Sequence, residues 1–349
     1  MAKQTKEKNE TILDFIKQNP LCSSKTIHDE LSNEYSYATI KRILQQFITE
    51  NLIIQIGNGR GTKYEISQTY NLFREIKVND YFEKEIDERE IRTSFNFMLI
   101  NEILEKVSLF TNDEMTFLIS LQNLYIDNTS KLSEAEYKKE MERLAIDLSW
   151  KSSQIEGNTY SLLETELLLK EKETAFGKTK DEATMLLNHK AALDFLIENP
   201  TYVKPLTISS IEDIHSILIQ DLGIDRNIRN KRVGISGTNY KPIDNEFQIK
   251  EAFEKMCILI NKKNNIFEKA LLVLVLISYI QGFADGNKRT ARIISNAILM
   301  NYNYCPISYR TVNSIEYKKA MLIFYEQNNI NSFKEIFIKQ FEFAVNTYF

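Results

Sequence analysis

The sequence predicts a mainly α-helical protein that begins with a small α/β module and carries one further β-like segment. Three observations lead there. Ten glycines and five prolines among 349 residues leave few places to break a helix. Apolar residues recur at three- and four-residue spacing through most of the chain. Runs with a β pattern occur in two places only, LIIQIGNGRGTKYEIS and KRVGISGTNYKP.

The N-terminal module is expected to span residues 1–68. TILDFIKQN places Ile12, Phe15 and Ile16 on one face of a first helix. SSKTIHDELS opens on capping serines and turns Ile27 and Leu31 inward. Ser36 can cap a third helix with Ile40, Leu44 and Phe47 at i, i+4 and i+7. Two β-rich runs around a glycine-rich turn follow. GNGRG lacks the strand-turn-helix setting of a dinucleotide loop and is read as a turn. This order resembles a winged helix-turn-helix. The resemblance implies that the third helix reads a DNA groove through Tyr37, Thr39, Lys41 and Arg42, with Arg60 and Lys63 on the wing. Nine Lys/Arg face eight Asp/Glu over these 68 residues, so protein docking stays open beside DNA.

Residues 69–140, with runs such as FNFMLINEILEKVSLF, read as a charged helical spacer without chemistry. The rest, 141–349, is expected to be one helical domain, broken only by a hairpin in KRVGISGTNYKP. The overall charge of −4 carries no nucleic-acid signature. Cys22, Cys257 and Cys305 have no metal-ligand spacing and suit free thiols in a reducing cytoplasm. MAKQTKEKNE has no apolar core to act as a secretory signal. ALLVLVLISYI, ending at Ile280, is too short to span a membrane and reads as a helix buried on all sides.

That helix runs into QGFADGNKRTAR, Gln281 to Arg292. Gly286 and Asn287 mark a tight loop feeding a second apolar helix, whose N-terminal amides make an anion site. Arg289 and Arg292 lie three apart on that helix and can converge on phosphate oxygens. Asp285 stands beside the anion site, where a carboxylate suits a bridging Mg²⁺. Together these residues describe a Mg-nucleotide cradle.

The stretch resembles the Fic family motif H-x-F-x-(D/E)-G-N-x-R-x-x-R, with Gln281 in place of the histidine and Phe283 as the core anchor. Asn296 matches a position that often follows the motif. Val233, Gly234, Ile235, Ser236, Gly237, Thr238, Asn239 and Tyr240 resemble the family's flap, a hairpin that holds a target segment by strand-like pairing. SSQIEGN matches the inhibitory pattern (S/T)-x-x-x-E-(G/N) at Ser152, Glu156 and Gly157. Glu156 would fall in the last turn of its helix, where the dipole disfavours an anion, and the family resemblance supplies Arg292 as its cation.

The resemblance implies a helical Fic fold and transfer of AMP from ATP, with Mg²⁺, to a hydroxyl of a protein target or of the chain itself. Gln281, Asp285 and Arg289 would act in catalysis. Gly286, Asn287, Lys288, Arg289, Arg292 and Asn296 would hold nucleotide, and Asp285 the metal. A carboxamide cannot accept the hydroxyl proton, so a degenerate nucleotide-sensing DNA-binding regulator stays open. So does a Doc-like phosphotransferase, because Doc-type proteins also carry lysine at the place of Lys288. His189 and His215 lie in helical stretches and are expected to pack rather than replace the base. No membrane partner is expected, and self-association into a homodimer stays open.

Overall fold

A computed structural model of the chain describes residues 11–32, 34–49, 52–67 and 69–349. The charged first ten residues and the Arg60 side chain, read above for targeting and for the wing, lie outside the described residues. The chain forms two compact units, Met1–Glu75 and Ile76–Phe349.

In the first unit α1 covers residues 11–18. Ser23 and Ser36 accept hydrogen bonds from the amides of Thr26 and Thr39 at 3.1 and 3.2 Å. They thereby start α2 (Ser24–Leu31) and α3 (Tyr37–Thr49), satisfying amides that a helix start leaves open. β1 (Ile53–Ile56) and β2 (Lys63–Ile66) pair antiparallel, Ile53 opposite Ile66. The turn between them uses Gly57 and Gly59 at positive φ. Ile12, Ile16, Ile27, Ile40, Leu44, Phe47, Ile53 and Tyr64 close the core, with Phe15 and Leu31 packed at its edge. A short helix, α4 (Tyr70–Phe73), ends the unit.

Of the residues read for DNA, Lys41, Arg42 and Lys63 are exposed. Tyr37 shares a hydrogen bond with Ser24 at 3.0 Å and lies under the Lys41 ammonium. Thr39 is engaged with Ser36 at 2.9 Å. Two of the expected contact residues therefore already serve the local fold.

The second unit contains α5 (Val78–Glu83), α6 (Asn112–Thr129), α7 (Glu134–Ile155), α8 (Leu162–Glu171), α9 (Lys180–Glu198), α10 (Ile208–Leu218), α11 (Glu246–Lys262), α12 (Ile266–Ile280), α13 (Asn287–Asn301), α14 (Ser314–Gln327) and α15 (Asn331–Tyr348). From Phe267 to Ile280 every residue of α12 is buried, as its unbroken apolar run requires. Helix α12 packs most extensively on α13, with α11 and α14 also against it. No described helix is long and apolar enough to cross a membrane, and the three cysteines are free and buried.

Two expectations about local structure change. FNFMLINEILEKVSLF is not a continuous helix; it has one π-helical turn, Leu99–Ile103, after an extended stretch. There Phe95 stacks on Tyr279 at 4.6 Å and the Asn96 amide donates to the Tyr279 hydroxyl at 3.0 Å. Contacts to the end of α12 thus override the helical pattern of the segment. The 231–242 segment is not a β-hairpin either. It turns at 236–237 with no ladder between its arms, and Lys241 instead bridges Ser94 in a parallel sense. The segment is tied down at Lys231, Gly237, Lys241 and Ile243, whose main-chain groups bond to Arg229, Arg89 and Thr93.

Candidate active site

A cleft of about 400 Å³ lies at the junction of α12 and α13, between the motif loop, the 233–236 arm and α14. The loop owes its shape to residues that admit little substitution. Gln281 caps α12 in the left-handed region, φ 52°, a conformation that costs a non-glycine residue on the order of 1 kcal/mol. A Cβ on Gly282 would come within 2.1 Å of the Phe253 ring. Gly286 takes φ 83° as the N-cap of α13 and passes within contact of His215 and Ile219.

Asn287 locks the loop from within. Its Oδ1 accepts from the Phe283 amide at 2.9 Å, while Nδ2 donates to the Phe283 carbonyl at 2.8 Å and to Gln281 Oε1 at 3.1 Å. Gln281 Nε2 donates to the Ser278 carbonyl at 2.7 Å and reaches the Tyr325 hydroxyl at 3.5 Å. The Gln281 amide is therefore oriented at the cleft wall by three neighbours.

Because Gly286 has no side chain, the first-turn amides of α13 receive no side-chain cap and remain available to an anion. Arg289 stands beside them, 2% exposed, with Nη2 at 3.3 Å from Asp285 Oδ2. Its Nη1 is buried and forms no hydrogen bond, an arrangement suited to an incoming acceptor. Burial lowers the Arg289 pKa, partly countered by Asp285 and Glu156. The Asp285 side chain is 67% exposed, and its Oδ1 accepts from the Gly286 amide at 2.6 Å.

Arg292 is fully buried and does not itself line the cleft, although its partners Glu156 and Tyr317 do. Its Nε donates to Ser152 Oγ at 2.8 Å, and Nη2 donates to the Ser152 carbonyl at 2.9 Å and to Glu156 Oε1 at 2.8 Å. The guanidinium also lies over the Tyr317 ring at 5.3 Å, a cation–π arrangement. Glu156 is the C-cap of α7, and Gly157 follows at φ 104°. The second Glu156 oxygen meets Lys288 Nζ at 3.3 Å. Burial pushes the Glu156 carboxyl up, but Arg292 and Lys288 outweigh it and hold the pKa below its usual range.

Not every expected residue reaches the cleft. Asn296 is buried, and its Nδ2 donates to the Arg292 and Ile307 carbonyls while its Oδ1 accepts from the Ile307 amide at 2.6 Å. It braces the 307 backbone and does not line the cleft. Of the flap, Val233, Gly234, Ile235 and Ser236 line the cleft. The Gly237 carbonyl accepts from Arg89 at 2.7 Å, Asn239 donates to Asp87 at 2.8 Å, and the Thr238 hydroxyl accepts from the Tyr240 amide. Tyr240 itself is buried and donates to the Tyr279 carbonyl. These last four are anchors.

Two supporting residues carry no signature in the sequence. His215 stacks on Phe283 with centroids 3.7 Å apart, and its Nε2 lies 2.9 Å from the Asp285 carbonyl. Burial lowers its pKa, and its other ring nitrogen, Nδ1, lies 3.3 Å from the Arg226 carbonyl. It packs, as expected, but against the motif itself. Arg229 donates through Nε to the Gln281 carbonyl at 2.6 Å, and nothing in NIRNKR distinguishes it from a surface arginine. His189 is buried with burial and the nearby arginines lowering its pKa, and it does not line the cleft.

Among the described residues no three His, Cys, Asp or Glu side chains gather as a metal cluster. A single exposed carboxylate suits Mg²⁺, which keeps several waters and takes phosphate oxygens as ligands. The open helix end, Arg289 Nη1 and Asp285 therefore fit a Mg-nucleotide.

Residues 205–299 match the Fic/DOC family. Protein adenylyltransferase Fic of Nematostella vectensis is 32% identical over 175 residues, 48% of this chain and 40% of that protein. The Aedes aegypti protein of the same name is 30% identical over 162 residues, 44% of this chain and 32% of that one. The chain thus spans well under half the length of these relatives. Fic-1 from C. elegans superposes with a TM-score of 0.60 at 22% identity, covering 68% of this chain and 72% of that one. The matched residues contain the loop, α12 and nearly all of α13, so the segment that builds the cleft is the part of the chain similar to the Fic/DOC family.

Proposed function

We propose that the chain is a protein adenylyltransferase, moving AMP from ATP to a protein hydroxyl, restrained by Glu156 and slowed by Gln281. The observation that carries this reading is the pairing of an uncapped α13 with a buried Ser152–Arg292–Glu156 lock. The first is built to receive phosphate. The second withholds from that phosphate the arginine one turn further along. Bound Mg-ATP would supply the activated α-phosphoryl group with its nucleoside, releasing pyrophosphate as the acceptor oxygen bonds to phosphorus.

Of the chain's own residues, Asp285 holds the metal and Arg289 with the α13 amides holds phosphate oxygens. Gln281 Oε1 accepts one hydrogen bond from Asn287 and keeps a lone pair to orient an acceptor hydroxyl. It takes no proton, which must leave to solvent or substrate. The missing base slows the step about 10² to 10⁴-fold. Val233 to Ser236 form the opposite wall, where an acceptor segment can lie. The test is calorimetric titration with Mg-ATP. Binding is expected in the native chain and about tenfold tighter in Glu156→Gly, from one charge-assisted bond regained by Arg292. No heat in either protein removes the reading.

A second proposal concerns the first unit. Lys41, Arg42 and Lys63 are exposed while the apolar face of α3 is buried together with Ile53 and Tyr64 of the strands, which supports a winged helix whose third helix contacts DNA. Affinity for the upstream region of its own operon should fall steeply with salt. Unchanged affinity in Lys41→Ala with Arg42→Ala removes it.

A further inference from the structure

We propose that Arg229 is a positioning residue that ties the acceptor-side wall of the cleft to residue 281, so that the two move as one body. This rests on the transferase reading for the meaning of that wall. The residue is buried, and its side chain is spent on three main-chain carbonyls from three places in the chain. Nε donates to Gln281 at 2.6 Å, Nη1 to Lys231 at 2.7 Å, and Nη2 to Ile243. Its own amide donates to the Gly282 carbonyl at 2.9 Å.

Lys231 and Ile243 are the two feet of the segment whose middle, Val233 to Ser236, faces Gln281 across the cleft. That segment has no cross-strand ladder. One planar guanidinium holds the feet together in its place and docks them on the carbonyl of the strained Gln281. A lysine, with its donors at one point, cannot span three carbonyls. The nearby carboxylate Asp244 is engaged by Arg232 at 2.9 Å, which leaves the fork to the backbone. At the far end of the segment Arg89 holds Gly237, but it does not touch the motif loop.

The experiment is amide hydrogen exchange on the full chain and on Arg229→Lys. Exchange should rise together at the hydrogen-bonded amides of Tyr240 and Lys241 in the wall segment and of Phe283 in the motif loop, by about tenfold for the loss of one or two hydrogen bonds, while α12 keeps native protection. A rise at only one segment, at neither, or throughout the unit overturns the proposal, the last because it marks a merely structural role. Arg89→Lys supplies the second arm, independent of whether Arg229→Lys folds well. It should loosen Tyr240 and Lys241 and leave Phe283 at the native rate, and a joint rise there shows coupling that bypasses Arg229 and refutes it. Mg-ATP titration of the native chain separates the two claims. Absence of binding there removes the transferase reading, whereas the exchange pattern alone decides the coupling.

Discussion

Replacing Glu156 with glutamine keeps the shape of the side chain and removes its charge. Arg292 is fully buried and retains Ser152 Oγ and the Ser152 carbonyl, so the change turns one of its three hydrogen bonds from charge-assisted to neutral and removes its counter-charge. Exchanging a charge-assisted bond on a buried guanidinium for a neutral one costs about 2–3 kcal/mol. Lys288, 26% exposed, adds less than about 1 kcal/mol. For a unit of this size that lowers its melting temperature by roughly 5–10 °C, read by calorimetry near neutral pH. Because Arg292 and Lys288 depress the folded carboxyl, the stabilisation is full above the ordinary value of 4.5 and is lost as pH falls through the folded value. The gap between native and Glu156→Gln should therefore close in acid. Equal melting temperatures near neutral pH, or a gap that persists in acid, refute the lock.

Asn296→Ala should destabilise the second unit by about 1–3 kcal/mol, by orphaning the buried Ile307 amide, while Mg-ATP affinity stays at the native value; denaturant titration and calorimetry read the two. Gly282→Ala must displace the Phe253 ring and should cost about 1–3 kcal/mol, again by denaturant titration. His189 and His215, both with pKa values lowered by burial, favour the folded state above the ordinary histidine value of 6.5. Their contribution falls as pH drops through the folded values, so native stability should decline on mild acidification, and replacing His215 with glutamine should reduce that slope. In a Glu156→Gly background, Gln281→His should raise the transfer rate by about 10² to 10⁴-fold.

The parts of this protein legible in the sequence are those whose cause is local. Serine caps, the apolar spacing of α1 to α3 and the continuous apolar run of α12 each determine their own element. The phosphate loop was legible because Asp285, Gly286, Arg289 and Arg292 are contiguous. Ser152 and Glu156 were legible through the resemblance of SSQIEGN to the family's inhibitory pattern, and an anion at a helix C-terminus added the need for a distant cation. What escaped depends on tertiary contacts. Phe95 leaves a helical pattern to stack on Tyr279. KRVGISGTNYKP carries hairpin residues, yet its carbonyls go to Arg89 and Arg229 rather than across to each other. Asn296 has the residue type of a ligand-binding group, but the buried 307 backbone claims it first.

The central claim is that this cradle still moves AMP without its base. Incubating Glu156→Gly, with and without Gln281→His, with protein extract and ATP labelled in either the α- or the γ-phosphate tests it most directly. The account predicts faint α-label on protein with Gln281, strong α-label with histidine, and no γ-label in either. Transfer of γ-label, or α-label that appears only with histidine, contradicts it.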